Sequence, residues 1–160
     1  MLKANGEFMG YCTSFCNDVM KILQPLSSKM ELVLAHESSI KDVPVSKIIA
    51  AVGVKKCTVS ERISSVNDNV KVDTENRNLA VTVGINLYVP YSQGTAGCVS
   101  AFDDIFDCLF EEKDSLLCES KLLSTSYSRD TQCLVAKTEF VFETTIGIYR
   151  SEVVVPNPIG

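Results

Sequence analysis

Apolar and polar residues alternate with a period of two along three segments of the chain. In residues 79–89 the aliphatic positions are Leu79, Val81, Val83, Ile85, Leu87 and Val89. In residues 132–146 one face carries Leu134, Ala136, Thr138, Phe140, Phe142 and Thr144. A third segment, residues 116–127, comes before residues 132–146, and the polar residues 128–131 connect the two. The alternation predicts three strands that each place one face on a core, the last two joined as a hairpin.

Two other segments repeat their apolar residues with the period of a helix. In residues 98–112 one arc carries Cys98, Ala101, Phe102, Ile105, Phe106 and Leu109, and the opposite arc carries Asp103, Asp104, Asp107 and Glu111. In residues 8–23 the apolar stripe is Phe8, Tyr11, Cys12, Phe15, Cys16, Val19, Ile22 and Leu23, and Pro25 follows. Both segments are predicted to be amphipathic helices that bury one side, and Pro25 ends the first.

Weaker signals predict the rest of the chain. Residues 30–35 form a short apolar strand, and residues 48–63 form a longer one. The apolar spacing in the longer strand slips by one near Lys55 and Lys56, which indicates a β-bulge. Residues 64–78 are polar and predict either an exposed loop or a protruding hairpin tip around residues 70–72.

These elements predict a single α+β domain in the order α-β-β-β-α-β-β. The sheet is expected to be mainly antiparallel, with the helices packed on one face. A length of 160 residues suits one domain. Residues 1–148 are assigned to this domain, and residues 149–160 to a C-terminal extended tail.

Composition narrows the classes of protein that the chain could belong to. The net charge of −5 argues against a nucleic-acid groove, which would need a basic stripe. No apolar run approaches the roughly 18 residues of a membrane span. The N-terminal residues lack the apolar core of a signal peptide, so a cytoplasmic protein is expected. The apolar share of 46% is that of a packed domain.

The seven cysteines are odd in number and scattered, and none form a Cys-x-x-Cys pair. They are interpreted as small buried hydrophobic residues that stay reduced. Because the chain has a single histidine, a zinc site would have to collect thiolates from distant elements. No metal and no cofactor are therefore predicted.

His36 is the one histidine and has Glu37 and Ser38 beside it, which suggests a catalytic triad. In a strand, however, Glu37 would point away from the other two side chains, whereas a triad needs converging groups. A polar strand end is the favoured interpretation.

Two further groups offer weak chemical signals. The aspartates of the second helix lie opposite its apolar arc, which is typical of a solvated face. Gly94 and Gly97 precede that helix without the lysine of a phosphate-binding loop, so they are interpreted as turn residues. The sequence therefore predicts a protein that is not an enzyme.

Several stretches resemble the tail-terminator, or tail-completion, proteins of tailed bacteriophages and the collar proteins of contractile phage-tail-like particles. They are residues 33–37, 43–45, 51–56, 87–91 with Gly94 and Gly97, 102–106, and the hairpin 127–142. The resemblance covers residues 8–146 and includes the order of elements. It implies a virion structural protein that forms a homo-hexameric ring, ends the tail tube and sheath, and joins them to the collar or head connector. Assembly would take place in the bacterial host cytoplasm.

Other functions remain open at this point. Within the same class, the chain could be a baseplate or another tube-proximal tail protein. In another class, it could be a small cytosolic domain that binds a ligand in the groove between helix and sheet, or an enzyme that uses His36 and the acidic cluster.

A ring requires surfaces on both sides of the subunit. The candidate interface residues in the domain are Tyr88, Tyr91, Val135 and Val141. Those in the tail are Val153, Val154 and Val155, which have high β propensity and precede Pro156 and Pro158. The tail is predicted either to add as a strand to a neighbouring subunit or to be a disordered terminus.

Overall fold

Two helices and five strands form the fold, with two short 3-10 helices between them. The computed structural model describes residues 11–35, 46–66, 69–113, 116–130 and 132–147. The elements are α1 (Tyr11–Ile22), a 3-10 helix (Gln24–Ser28), β1 (Met30–Leu34), β2 (Ile48–Val66), β3 (Asn69–Pro90), a 3-10 helix (Tyr91–Gln93), α2 (Gly94–Lys113), β4 (Leu117–Ser128) and β5 (Cys133–Gly147). The predicted α+β class is confirmed, although the two 3-10 helices were not predicted. None of the described helices is long and apolar enough to cross a membrane.

The five strands form one sheet in the order β1-β2-β3-β5-β4. Every neighbouring pair is antiparallel except β1 and β2, which are parallel. The central strand β3 pairs with β5 in an unbroken register from Asn76 opposite Gly147 to Pro90 opposite Cys133. The segment with the clearest alternation is therefore the middle of the sheet, as expected of a strand with a fully buried face.

Both described helices pack on the same face of this sheet and enclose the core. The buried residues include the alternating set of β3 (Leu79, Val81, Val83, Ile85, Leu87, Val89), that of β5 (Leu134, Ala136, Thr138, Phe140, Phe142) and the helix stripes (Phe15, Cys16, Val19, Cys98, Ala101, Ile105, Leu109). Aromatic rings join the layers, since Phe15 lies 4.9 Å from Phe142 and Phe102 lies 5.5 Å from Phe140. These buried faces confirm the predicted stripes of β3, of β5 up to Phe142 and of the described helix positions. Thr144 and the residues of β4 are at most half-buried, so the prediction of a buried face is wrong for β4. Phe8 and the side chains of Tyr11 and Cys12 lie outside the described residues.

Thr138 is the buried polar member of the β5 face. Its Oγ1 donates a hydrogen bond of 2.7 Å to the backbone oxygen of Ile85, the residue opposite it on β3. A buried hydroxyl costs stability unless it is bonded, so this contact lets a polar residue occupy the core face.

The strands β2 and β3 are longer than the alternation predicted. Residues 62–66 pair with residues 69–73, beyond the part of β3 that β5 covers. We call residues 61–75 the arm, the end of the β2–β3 hairpin that extends past the described end of β5. The segment expected to be an exposed loop or a hairpin tip around residues 70–72 is thus part of the β2–β3 hairpin, but residues 70–72 are paired within β3 and do not form its tip. In the arm the alternation of apolar and polar residues is limited to residues 69–73, which is too short to predict the full length of both strands.

Candidate assembly interface

The face of the sheet opposite the helices, which we call the open face, carries three of the predicted interface residues. Tyr88 lies directly opposite Val135, and Val141 lies opposite Thr82. All three predicted residues are half-buried, and their neighbours in register belong to the face that the helices leave uncovered. Cross-strand pairs of this kind stabilise the sheet and also present apolar surface outward.

A lysine crosses the middle of the open face. Lys55 Nζ lies 2.9 Å from Glu139 Oε2, so the side chain runs from β2 over β3 to β5. Between them lies Gly84, which is opposite both Gly53 and Glu139. A Cβ on Gly84 would sit 2.5 Å from the Cδ of Lys55, so glycine provides the room for this crossing. The register shift between Val54 and Lys56 confirms the predicted bulge, and a bulge is a means of re-aiming a side chain.

A second cation crosses the open face in the same direction at the base of the arm. The guanidinium of Arg62 donates a hydrogen bond of 3.1 Å to Thr145 Oγ1 on β5. Arg62 follows the second register shift of the β2–β3 ladder, between Glu61 and Arg62. This contact joins the base of the arm to the last residues of β5.

Because the Lys55 side chain lies over Gly84, the effects of Gly84→Ala and Lys55→Ala on the free energy of unfolding should not be additive. Alone, Gly84→Ala displaces the stem of Lys55 and breaks its ion pair with Glu139. In the Lys55→Ala background, the same alanine meets no such stem, and its strand preference makes it neutral or stabilising. Urea unfolding of the unmodified chain, the two single variants and the double variant should give a coupling free energy of about 1 kcal/mol. Additivity within about 0.3 kcal/mol would show that Lys55 does not lie over Gly84.

The arm exposes large apolar side chains. Ile63 and Val72 lie directly opposite each other and are 61% and 48% exposed, and Val70 is 68% exposed. Val70 and Val72 are two residues apart on one strand, so all three share one face of the ribbon. Clustered apolar residues on a projecting element are typical of a surface that another molecule covers.

Tyr91 does not lie on the open face. It belongs to the 3-10 helix after β3, and its ring contacts that of Tyr127 edge to face, with centroids 5.4 Å apart. Tyr127 is opposite Leu134, whose side chain belongs to the core face, so this exposed tyrosine pair is on the helix side of the sheet. The structure therefore separates Tyr91 from Tyr88. The tail residues Val153, Val154 and Val155 lie outside the described residues.

The residues considered for catalysis or metal binding are not gathered into a site within the described part of the chain. His36, Glu37 and Ser38 fall outside it. Asp103 and Asp107 are exposed on α2, and Asp104 lies 3.5 Å from Lys29 Nζ. Among the described residues, no group of three or more histidine, cysteine, aspartate or glutamate side chains could hold a metal ion. The aspartates thus form the solvated helix face that their spacing predicted.

Gly94 and Gly97 are explained by the backbone where α2 begins. Gly94 has φ of +64°, a conformation that favours glycine. A Cβ on Gly97 would come within 2.7 Å of Gln93 Cβ and 3.1 Å of Val89 Cγ1, so only glycine lets the helix approach the end of β3. Gly94 joins the 3-10 helix to α2, as expected of a turn residue, whereas Gly97 lies within α2, so the prediction that it precedes the helix is wrong.

The prediction that all seven cysteines are free is wrong. Cys57, on β2, is disulfide-bonded, whereas Cys16, Cys98, Cys108, Cys118 and Cys133 are reduced thiols. Sequence spacing did not reveal the bridge, because it depends on which elements the fold brings together. Burial raises the pKa of the Cys16 and Cys98 thiols, which keeps them protonated at neutral pH and makes them poor nucleophiles.

The disulfide changes the expected thiol count. One bridge removes two of the seven cysteines, so alkylation of the denatured, unreduced protein should add five labels. Reduction before labelling should add two more, because the bridge then opens. Intact-mass spectrometry reads both numbers directly, and seven labels without reductant would exclude the bridge at Cys57.

A shallow depression of about 250 Å³ lies where β2, β3 and β5 meet near the base of the arm. Ser60, Asn78, Ala80, Glu143 and Thr145 are among its lining residues. Small-molecule sites usually have volumes of about 300–1,000 Å³ and a largely apolar lining. The depression is smaller and more polar, so it gives little support to the ligand-binding alternative.

The described surface thus offers a half-buried open face, two cations that cross it, and an apolar arm at one end. No protein-family model matches this sequence, and no curated protein sequence matches it either.

Proposed function

We propose that this chain is a structural protein of a phage tail or a contractile phage-tail-like particle. In this role it forms a ring that ends the tail tube and sheath and joins them to the collar or head connector. The observation that carries the proposal is the arm, which exposes the side chains of Ile63, Val70 and Val72. Such an element has a physical reason to exist where a neighbouring molecule covers it.

The arm and the open face suit a ring because they are two different surfaces. A closed ring is built from heterologous contacts, in which one patch of a subunit meets a different patch of the next. The arm supplies a projecting apolar patch. The open face supplies a broader one that includes Tyr88, Val135 and Val141, with the Lys55–Glu139 ion pair beside it.

The electrostatics also favour protein partners over nucleic acid. The chain carries a net charge of −5, and α2 exposes Asp103 and Asp107. The two cations that cross the open face are engaged with Glu139 and Thr145. Tube and sheath subunits, rather than DNA, are therefore the proposed partners. A baseplate or other tube-proximal position remains the alternative within the same class.

Mass measurement of the purified protein tests the ring. Light scattering and native mass spectrometry should give the mass of a single defined oligomer of the 17.5 kDa chain. For the hexamer that the resemblance implies, this is six times the mass of the chain. Electron microscopy should then show rings, and added tail tubes should carry one ring at one end. A protein that stays monomeric across the micromolar range and leaves the tubes bare would contradict the proposal.

A further inference from the structure

The sheet has an open edge at each end. Among the described residues, β1 pairs only with β2, and β4 pairs only with β5. Because β1 is parallel to β2 and each of the next three ladders is antiparallel, β1 and β4 run in opposite directions. An open edge presents backbone N–H and C=O groups to which another strand can bond.

We propose that the open edge of β4 pairs antiparallel with the open edge of β1 from a second copy of the chain, with Lys121 opposite Glu31. In the same register Ser120 lies opposite Leu32. The inference rests on the proposed ring, because this pairing is a head-to-tail contact between neighbouring subunits. The two edges differ and lie at opposite ends of one sheet, so each copy offers both halves of the contact, as a closed ring requires.

The two edges have matching regular stretches. The β4–β5 ladder shifts register on either side of residues 119–122, which leaves a short stretch without irregularity between the shifts. The strand β1 is five residues long, Met30–Leu34. The proposed register pairs residues 119–122 with residues 30–33 and crosses neither shift. The other regular stretch of β4, residues 124–128, has no charged side chain that would select a register.

The backbone of β4 points outward where the contact needs it. Glu143 donates its N–H to the backbone oxygen of Leu116, which places the N–H groups of odd-numbered β5 residues on the β4 side. Lys121 lies opposite Glu139, so its own backbone groups face β5. Since these groups alternate along a strand, the N–H and C=O of Ser120 point away from the sheet.

The same alternation holds for β1. The N–H of Ala35 donates to the backbone oxygen of Val52 on β2, so the backbone groups of Leu32, three residues earlier, point away from β2. Leu32 and Ser120 can therefore exchange hydrogen bonds across the two edges. The side chains of Leu32 and Leu122 are half-buried on the core face at these edges, and joining the edges would bury them further.

The charges of the open face favour β1 of a second copy as the partner. Lys55 Nζ lies 2.9 Å from Glu139 Oε2, and Lys121 lies opposite Glu139 on β4. This row of charges alternates in sign across the sheet and ends on a lysine at the open edge. Lys121 Nζ lies 3.1 Å from Glu119 Oε1, yet its side chain is 48% exposed and can accept a second carboxylate. Glu31, which is exposed on β1, supplies that carboxylate in the proposed register.

Charge reversal followed by mixing tests the contact. Glu31→Lys and Lys121→Glu should each raise the dissociation constant of self-assembly about tenfold or more, because each places like charges across the edges. Mixed in equal amounts, the two variants should assemble again. In an even-numbered ring the altered edge of one variant then meets the altered edge of the other, and the unaltered edges meet each other. With one variant labelled with nitrogen-15, native mass spectrometry should count equal numbers of both in each ring.

Two further variants separate the contact from general effects of charge and stability. Asp107→Lys makes the same change of charge as Glu31→Lys at an exposed position of α2, and it should assemble as the unmodified chain does. Ser120→Pro removes an N–H that points away from β5, so it should weaken assembly about tenfold or more while circular dichroism still shows the folded sheet. Melting temperatures of all the variants at monomeric concentrations should agree within a few degrees.

The results that would overturn the contact differ from those that would overturn the ring. Rings that tolerate both Lys121→Glu and Ser120→Pro would overturn the contact alone. So would assembly that Lys121→Glu weakens but Glu31→Lys does not, because β4 would then pair with something other than β1. A mixture of the two variants that stays dissociated would also overturn it. An unmodified chain that is monomeric would overturn the ring and the contact together.

Discussion

Replacing Phe140 with alanine should lower the free energy of unfolding by about 3–5 kcal/mol, the largest stability loss that we expect from one substitution. Phe140 is fully buried on the core face of β5, and its ring stacks on that of Phe102 from α2 at 5.5 Å. It lies opposite Val83 in the middle of the sheet. Alanine would leave a cavity that neither the ladder nor the helix can close. Urea unfolding with an unchanged slope measures the loss.

Phe110→Ala provides the control for this substitution. Phe110 is on the same helix α2 and also stacks on another ring, that of Phe106 at 5.5 Å, but it is 49% exposed. Because it buries less surface and leaves no cavity, the expected loss is below about 1 kcal/mol. Equal losses for the two variants would mean that α2 does not close the core over β5.

The strands of the domain could be predicted where they face a core on one side. The sequence predicts β3 because burial of one face imposes a strict period of two, seen at Val81, Val83 and Ile85. The arm belongs to the same two strands but could not be assigned beyond a loop or hairpin tip. The alternation there covers only residues 69–73, which is too short to distinguish a paired strand from a hairpin tip.

The ion pair of Lys55 with Glu139 across β3 illustrates a different limit of prediction from sequence. The bulge was visible in the sequence as a slip of the apolar spacing, but the role of Gly84 was not. Lys55, Gly84 and Glu139 meet only because β2, β3 and β5 are neighbours in the sheet, and that order is a property of the whole fold. The disulfide at Cys57 escaped prediction for the same reason.

The candidate interface shows how local chain direction decides what a sequence pattern can predict. Apolar residues outside the core set of both strands predict Tyr88 and Val135 as interface residues, and the structure pairs them. Tyr91 is predicted with them, but Pro90 ends β3 and the 3-10 helix turns the chain away. Alternate residues share one face of a sheet only within the strand, so the pattern does not place Tyr91, which follows its end.

Replacing both Ile63 and Val72 with serine should weaken self-assembly by about 2–3 kcal/mol per interface, or roughly 30- to 150-fold in dissociation constant. This expectation rests on the proposed ring. The two side chains form a cross-strand pair on the exposed face of the arm and would bury most of their surface against a neighbour. Serine leaves the net charge unchanged, so any loss reflects apolar contact. Sedimentation velocity over a concentration series measures it.

Val59→Ser separates the arm from exposed apolar surface in general. Val59 is on β2 and is 52% exposed, much like the arm residues, but it lies opposite the core residue Leu79 within the main sheet. We expect this variant to assemble as the unmodified chain does. All variants should keep the same melting temperature within a few degrees, because the arm lies outside the core. Unchanged assembly of the Ile63→Ser, Val72→Ser variant would remove the arm from the interface. Equal weakening by Val59→Ser would show that the contact is not specific to the arm, because Val59 is similarly exposed but lies outside the arm.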